Sequence, residues 1–591
     1  MSSHRSKMSR VMMRLRRVIR NDQLILAVLA LVVGAAAGGG VVLFREGIGL
    51  VQTVFYGSPT AHLYTHVQGL QWWHVLAAPA VGGLMIGLLV YRFLPGRRNH
   101  GVADVIEAGA LHSGRMSATT GLRAAVINAA SIGVGASVGR EGPAVHLGAW
   151  LGSWLAKRLR LTPALSRTLL GCGVAAAVAA SFNAPIAGAL FANEVVLRHY
   201  ALETFAPVVI ASVAGTVVSR AYFGDFPAFI IAPHIIASLW EFPAFAGLGI
   251  AAGIVAAVFM HGIALSEKTA RKLPIPPWLR PAVGGLLIGA MALAFPQVLG
   301  IGYGATEAAL AVAFPLSVLI AVGVAKMAAT AISLGFGFGG GVFSPSLVIG
   351  AMLGGAYGIV ATLVFPDLSS GPGAYTLVGM AAVAAAVLGA PISTALIIFE
   401  MTGDYALTVA VMVAVVVASV TTQQLYGRSF FMAQLERRGI DLKVGVERAL
   451  LRTLKVSEVM SRENDLVTSD VGLPLMRVLL QRSATGALFV VRENGEFLGS
   501  ITLADLSEVA FDQGVDNLIF AGDVVRRSPA VLAAGDDLET ALALIRETGE
   551  THIPVVGDMD SMTFSGTVHE RDVLDAYNRA LLQTRREERG E

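Results

Sequence analysis

The chain has 591 residues, of which 54% are hydrophobic and only 14% are charged, with a formal net charge of +3 and a mean hydropathy of +0.66. This composition excludes an ordinary soluble protein and predicts a chain that crosses a membrane several times. The lone cysteine, Cys172, excludes a disulfide framework and a cysteine-based metal site within one chain, and no metal site is predicted.

A basic segment covers residues 1–20 and carries seven lysine and arginine residues. Because basic residues next to a membrane span favour the cytoplasmic side, the N-terminus is predicted to be cytoplasmic. A nucleic-acid-binding arm is the alternative, but no aromatic residues are interleaved with the charges. We therefore expect membrane lipid rather than nucleic acid as its partner.

Two apolar segments, 24–44 and about 75–94, are each long enough to span a bilayer. The next apolar stretches are shorter and are interrupted by glycine or proline: 134–138, 144–155, 169–180 and 185–197. Broken helices that meet inside the membrane are a usual way of building a transport site at the midplane.

An internal repeat divides this apolar region into two related halves, 21–225 and 240–437. Asn-Ala-Pro-Ile at 183–186, followed by Glu194, recurs as Gly-Ala-Pro-Ile at 389–392, followed by Glu400. A glycine-rich loop that runs into a helix is also present in both halves. If the halves have inverted topology, the two helix N-termini converge near the midplane; glycines used only for helix packing are the alternative.

The first of these loops is Gly139-Arg140-Glu141-Gly142-Pro143, and the second ends in Gly-Val-Phe-Ser-Pro at 341–345. Glycines leave backbone N–H groups accessible, and a helix N-terminus carries a partial positive charge, so both loops are suited to bind an anion. An ionisable residue at membrane depth indicates a functional site. Glu141 is therefore predicted to act as a tethered anion that competes with a free one; a helix-capping carboxylate is the alternative.

The composition changes after about residue 435, and the last part of the chain alternates short strands with amphipathic helices. It contains its own repeat, offset by 65 to 67 positions, with the order helix, strand, strand, helix in each copy. The predicted parts are a membrane domain (21–437), a linker (438–453), two repeated domains (454–515 and 518–582) and a disordered tail (583–591).

These motifs resemble the CLC family of chloride channels and proton/chloride antiporters, followed by a pair of CBS domains. The resemblance implies a mainly α-helical inverted-repeat membrane domain with a cytoplasmic α/β CBS pair. It also implies a homodimer with one pore in each subunit, in a bacterial inner membrane, that is not an enzyme and requires no cofactor.

The resemblance further implies roles for individual residues. Glu141 corresponds to the gating glutamate, which blocks the anion site when ionised and swings out when protonated. The side chain of Arg140 is expected to form a buried structural ion pair. The implied anion-binding positions are Gly139, Arg140, Gly142, His100, Gly101, Val342, Phe343 and Phe431.

Three positions depart from the family pattern. His100 replaces a serine that contacts the central anion; its ring either donates a hydrogen bond to the anion or points away. Phe431 replaces the inner-gate tyrosine and makes that constriction apolar. Val195 replaces the glutamate that relays protons in antiporters, although Glu194, His199 or water remain alternative proton carriers.

The loss of a carboxylate at position 195 favours a passive, pH-gated chloride channel over a proton-coupled antiporter. A fluoride-selective variant would depart further in the loops, and a non-transporting nucleotide sensor would not need Glu141. We find no nucleophile and base pair, HExxH motif or phosphate-binding loop typical of an enzyme.

Thr502 and Asp505 fit the Thr-x-x-Asp pattern with which many CBS domains bind the ribose of an adenine nucleotide. The second copy has His569 in place of the threonine, so at most one such site is expected. A local helix cap made by Thr502 is the alternative.

Overall fold

The computed structural model describes residues 22–59, 62–198, 202–225, 229, 236–440, 442, 451–452, 454–483, 485–507, 509, 513–527 and 530–589. The chain divides into two compact units, Met1–Ile440 and Asp441–Glu591. The basic segment 1–20, most of the predicted linker and His199 lie outside the described residues.

Helices dominate the first unit. In its first half they are α1 (Asp22–Tyr56), α2 (Leu63–Val67), α3 (Trp72–Phe93), α4 (Val102–Leu111), α5 (Ala118–Gly133), α6 (Glu141–Arg158), α7 (Pro163–Phe182), α8 (Pro185–Phe191) and α9 (Leu202–Phe223). In its second half they are α10 (Phe242–Lys272), α11 (Arg280–Ala294), α12 (Tyr303–Leu310), α13 (Leu316–Gly335), α14 (Phe343–Val364), α15 (Pro372–Leu388), α16 (Pro391–Thr402), α17 (Tyr405–Tyr426) and α18 (Phe430–Arg437).

The helices of this unit differ widely in length. Across the described residues, nine helices are long and apolar enough to cross a membrane, whereas α4, α8 and α12 have only 10, 7 and 8 residues. Of the predicted broken stretches, 185–197 is confirmed as a short apolar helix, Pro185–Leu197, whereas 144–155 lies inside the 18-residue helix α6. The prediction was also wrong for 169–180, because that segment is the inner part of the 20-residue helix α7.

One glycine contact occurs in both halves. A Cβ added at Gly173 in α7 would lie 1.9 Å from the carbonyl oxygen of Gly148 in α6. In the second half, a Cβ at Gly379 in α15 would lie 2.6 Å from the carbonyl oxygen of Gly350 in α14. The helix that begins at each glycine-rich loop is thus held at backbone contact with the next helix, as small residues allow in membranes.

The halves are also joined by two matching carboxylates. Glu194 accepts hydrogen bonds from the backbone N–H groups of Ile392 (3.1 Å) and Ser393 (2.8 Å) and from the Ser393 hydroxyl. Glu400 accepts hydrogen bonds from the N–H groups of Ile186 (2.9 Å) and Ala187 (2.7 Å). Each half therefore caps the N-terminus of a short helix, α16 or α8, in the other half.

The second unit contains two sheets and two related copies. Its elements are β1 (Leu466–Thr468), α19 (Leu473–Arg482), β2 (Ala487–Val491), β3 (Phe497–Thr502), α20 (Ala521–Val524), β4 (Arg526–Arg527), β5 (Leu532–Ala533), α21 (Leu538–Thr548), β6 (His552–Val556), β7 (Phe564–His569) and α22 (Glu570–Arg589). The strand orders are β1-β2-β3-β4 and β5-β6-β7, with β1–β2 and β5–β6 parallel.

This order differs from the predicted helix, strand, strand, helix in two ways. A short strand, β1 or β5, precedes the helix of each copy, and two or three residues are too few for alternation to reveal it. After β3, residues 503–507 are turns rather than a helix. The tail prediction was also wrong for residues 583–589, because α22 continues to Arg589.

Candidate functional site

The two glycine-rich loops meet in the first unit. The N–H of Gly139 donates to the carbonyl oxygen of Gly341 at 2.7 Å, and the N–H of Gly341 donates to that of Gly139 at 2.8 Å. Helix α6 begins two residues after the first glycine and α14 two residues after the second. The free N–H groups of both helix N-termini therefore converge, as the repeat predicts.

Close approach explains the glycines at this crossing. A Cβ at Gly142 would lie 3.1 Å from the Cα of Gly341, and a Cβ at Gly341 would lie 3.1 Å from the nitrogen of Gly142. A side chain at either position would push the two backbones apart. The glycines consequently let the peptide dipoles of both loops come close to the space between the halves.

Glu141 lies at this crossing and is buried. Its Oε1 accepts a hydrogen bond from the Tyr303 hydroxyl at 2.8 Å, and its Oε2 accepts one from the Ser344 hydroxyl. Ser344 is the second residue of α14, so the carboxylate reaches from the start of α6 to the start of α14. A side chain in this place occupies the space where a free anion would meet both helix N-termini.

The buried ion pair expected of Arg140 is present, and its partner is Glu141. The Nε of Arg140 lies 3.7 Å from Oε1 of Glu141, and its guanidinium lies over the Tyr303 ring at 4.8 Å from the centroid. Arg140 also lines a cavity of about 180 Å³ together with Arg45. Glu46 lines the same cavity, which therefore carries two guanidinium groups and one carboxylate.

Tyr303, Ser344 and Lys326 are site residues that the sequence reasoning missed. Gly302, with a φ of +90°, places Tyr303 at the first turn of α12. The buried Nζ of Lys326 donates to the carbonyl oxygens of Val298 (3.0 Å) and Gly300 (2.8 Å), which fixes the loop before Tyr303. Lys326 could have been identified from the sequence, because a lysine within an apolar helix indicates a functional site. No sequence pattern indicated a role for Tyr303.

A cavity of about 360 Å³ lies on the other side of the crossing. Five of the predicted anion-binding positions line it: His100, Gly101, Gly142, Val342 and Phe431. It is also lined by Arg437 and Arg438, near the residue where the first unit ends. The structure thus brings residues from four separate segments of the sequence into one pocket.

Phe343 and Phe431 occupy different parts of this region. The Phe343 ring packs in the interior against Phe182 and Phe191, with ring centroids at 4.8 and 6.0 Å, so only its backbone N–H is left to meet an anion. The Phe431 ring is buried beside that of Phe430, at 5.8 Å, and faces the cavity.

His100 is held by an acidic residue of α4. Its Nδ1 lies 3.1 Å from Oδ1 of Asp104. The same carboxylate accepts a hydrogen bond from the N–H of Gly101 at 2.8 Å and pairs with Arg98 (2.6 Å) and Arg438 (3.2 Å). Asp104 therefore caps α4 and orients the imidazole at the same time.

The proton-relay position is occupied by a buried aliphatic side chain. Val195 lies in a π-helical turn, Ala192–Leu197, that follows α8. The neighbouring Glu194 is engaged by three hydrogen-bond donors at the start of α16. A carboxylate used as a helix cap in this way is poorly placed to carry protons between compartments.

In the second unit, Thr502 and Asp505 bind each other. The backbone N–H and the hydroxyl of Thr502 both donate to Oδ2 of Asp505, each at 2.7 Å. The two side chains are thus close enough to contact one ribose, but the arrangement is also that of a self-contained turn. At the corresponding place in the second copy, the rings of His552 and His569 lie 4.5 Å apart.

The pair of histidines predicts acid sensitivity of strands β6 and β7. Burial, and then the neighbouring His569, lower the pKa of His552. Because an unfolded histidine has a pKa near about 6.5, the unfolded state binds its proton first as the pH falls. The stabilisation is therefore complete above about pH 6.5 and is lost below it, by less than about 1 kcal/mol since the pair is partly exposed.

Hydrogen exchange of the β6 and β7 amides in the full-length protein checks this expectation. After correction for intrinsic rates, exchange should be faster at about pH 5.5 than at about pH 7.5. His552→Gln should remove the difference, and His261→Gln, in α10, should keep it. An unchanged pH effect in His552→Gln would show that another group is responsible.

Comparisons with known proteins identify the family of both units. Residues 82–423 match the family model for voltage gated chloride channels, and residues 456–512 and 521–579 match that for CBS domains. A putative ClcB-like chloride channel protein from Ralstonia nicotianae is 34% identical over 414 residues, which are 69% of this chain and 96% of the relative.

Two solved structures are similar in fold. A slow cyanobacterial Cl⁻/H⁺ antiporter has a TM-score of 0.63 at 24% identity and covers 70% of this chain and 97% of its own. A eukaryotic CLC transporter has a TM-score of 0.61 at 19% identity and covers 93% of this chain and 98% of its own.

The chain therefore belongs to the CLC family of voltage-gated chloride channels and carries a pair of CBS domains. It is an integral membrane protein of a family that transports chloride.

Proposed function

We propose that this protein is a passive chloride channel whose opening is controlled by protonation of Glu141. The observation that carries the proposal is the position of the Glu141 carboxylate between the converging N-termini of α6 and α14. The peptide dipoles supply partial positive charge at this position, and the Arg140 guanidinium, whose Nε lies 3.7 Å from Oε1 of Glu141, adds a full positive charge beside it. Protonation removes the negative charge of Glu141, so the side chain is no longer attracted to the positive ends of the two helices.

Two further observations favour a channel over an antiporter. Val195 has no ionisable group, and the carboxylate of Glu194 is occupied as the cap of α16. Positions 194 and 195 therefore offer no free carboxylate as an obvious proton acceptor. The apolar ring of Phe431 supports gating of the inner constriction by dewetting.

Reversal potentials in planar bilayers test the proposal. A channel selective for chloride should shift its reversal potential by about 59 mV for each tenfold chloride gradient, with no contribution from protons. A proton gradient at equal chloride should therefore leave the reversal potential at zero. A shift under that condition would contradict the channel and favour the proton-coupled antiporter.

We further propose a homodimer in the bacterial inner membrane, with the N-terminus and the CBS pair in the cytoplasm. Family resemblance supports the dimer, and the half-exposed apolar side chains of Ile186 and Ile392, on the matching helices α8 and α16, are compatible with it. The CBS pair is proposed to regulate conduction, with one adenine nucleotide site at Thr502 and Asp505.

A further inference from the structure

Side-chain hydroxyl groups hold the carboxylate of Glu141. Among the residues that the structure describes, both hydrogen bonds to this carboxylate come from side chains: the Tyr303 hydroxyl donates to Oε1 at 2.8 Å and the Ser344 hydroxyl donates to Oε2. Glu141 is only 1% exposed, so a lost donor is not readily replaced by water. Because a buried carboxylate needs donors, and hydrogen bonds to a charged group are the stronger kind, these two hydroxyls stabilise the ionised side chain at the crossing.

The two donors come from different places in the fold. Ser344 is the second residue of α14, whose N-terminus is itself part of the crossing. Tyr303 is the first residue of α12 and reaches Glu141 from outside both glycine-rich loops. A change at Tyr303 can therefore weaken the hold on Glu141 and leave the two helix N-termini as they are.

The position of the Tyr303 ring is fixed by its surroundings. The Phe229 ring packs against it with the ring centroids 4.7 Å apart, and the guanidinium of Arg140 lies 4.8 Å from its centroid. Lys326 packs against the preceding residue, since a Cβ added at Gly302 would lie 3.2 Å from its Nζ. A donor that is already held in place loses little conformational freedom when it forms a hydrogen bond, which makes the bond more favourable.

We infer that Tyr303 is a positioning residue that holds ionised Glu141 in the anion site and so sets the acidity at which the channel opens. This inference rests on the proposed function, in which protonation of Glu141 opens the pathway. The phenol donates to the ionised carboxylate, and a donor to the charged form makes protonation harder. With Tyr303 in place, the gate stays shut until the solution is more acidic than Glu141 without this donor would require.

Other charged and titratable groups also surround the crossing, and all of them stay unchanged when only the phenol oxygen is removed. Arg140 lies 3.7 Å from Oε1 of Glu141. The remaining groups line the neighbouring cavities or pack against the loop before α12: Arg45 and Glu46 in α1, His62 before α2, Glu307 in α12, Lys326 in α13 and, on the side of the 360 Å³ cavity, His100, Asp104 and His146. A change in the pH profile of Tyr303→Phe therefore reports on the hydroxyl.

Chloride flux from proteoliposomes as a function of pH tests the inference. Tyr303→Phe keeps the ring and removes the hydroxyl, so its flux should reach half of its maximum at a pH about one unit higher than in the wild type. At about pH 4.5, where Glu141 is largely protonated in both proteins, the two fluxes should agree within about twofold. A merely structural change would lower the flux at every pH and would not shift the profile.

A double-mutant cycle with Glu141→Gln shows whether the hydroxyl acts through the gate. The amide carries no charge, so Tyr303→Phe in the Glu141→Gln background should change the flux by less than about twofold at every pH. Tyr64→Phe is the matched control. Its ring also packs on α12, since a Cβ added at Gly304 would lie 2.8 Å from Cε1 of Tyr64, but removal of its hydroxyl leaves both donors of Glu141 in place. Tyr64→Phe should therefore keep the wild-type profile.

The possible outcomes separate this inference from the proposed function. A wild-type pH profile in Tyr303→Phe, together with loss of pH dependence in Glu141→Gln, would overturn the role of Tyr303 and leave the gate in place. An equal effect of Tyr303→Phe in the Glu141→Gln background would also overturn it, because the hydroxyl then acts on another group. Wild-type pH dependence in Glu141→Gln would overturn both. Tyr303→Leu, which also lacks the hydroxyl, takes the place of Tyr303→Phe if that variant is not monodisperse.

Discussion

Replacement of Glu141 by glutamine should abolish most of the pH dependence of chloride flux. The amide has nearly the shape of the protonated carboxyl group and no charge, so it should leave the anion site open at every pH. In proteoliposomes at saturating chloride, wild-type flux should rise about tenfold between about pH 7.5 and 4.5, whereas the Glu141→Gln flux should change by less than about twofold.

Glu307→Gln is the matched control for this experiment. Glu307 lines a third pocket, of about 260 Å³, with Arg140 and Tyr303, which we call the outer pocket, and its carboxylate pairs with His62. Its substitution should preserve the pH dependence. Equal pH dependence of the flux in wild type and Glu141→Gln would refute the gating role of Glu141. Loss of the pH dependence in Glu307→Gln would indicate that the gate lies in the outer pocket instead.

Gly173→Ala should prevent the membrane unit from folding normally. Its Cβ would lie 1.9 Å from the Gly148 carbonyl oxygen and 2.5 Å from the carbonyl carbon, which is backbone and cannot rotate away. Helices α6 and α7 would have to separate, at a cost of more than about 3 kcal/mol, above the usual range for overpacking. Since α6 begins at Glu141, the site would be displaced as well.

Size-exclusion chromatography and thermal unfolding in detergent measure this effect. Gly173→Ala should give little monodisperse protein, and Gly379→Ala, at the matching contact of the second half, should behave likewise. Gly39→Ala in α1 is the control, because nothing lies within 4 Å of its added Cβ. Wild-type elution and melting of Gly173→Ala would show that the helices are not in backbone contact.

The sequence was sufficient to predict the crossing of the two loops. Both loops were recognisable from their glycines, and the repeat supplied their symmetry, so the expected convergence of the two helix N-termini agrees with the observed bridge between Gly139 and Gly341. Hydropathy located two of the long helices, α1 and α3, but it underestimated α7, whose start at Pro163 lies in a more polar stretch.

The hydrogen-bond partners of Glu141 could not be predicted from the sequence. Tyr303 is 162 positions from Glu141, and Ser344 is 203 positions away, so no local pattern connects them. The sequence also left two orientations open for His100, and the bond to Asp104 fixes the ring because both lie at the start of α4. The alternative that Glu194 carries protons is disfavoured by its hydrogen bond to α16, which is far away in the sequence.

The exchange of helix caps between Glu194 and Glu400 has an evolutionary consequence. The contact is self-complementary, since each half gives a carboxylate and receives one at equivalent positions. A single ancestral half, inserted in both orientations, would make the same contact with a second copy of itself. Fusion of two such genes would then preserve the former dimer interface as the interface between the two halves of one chain.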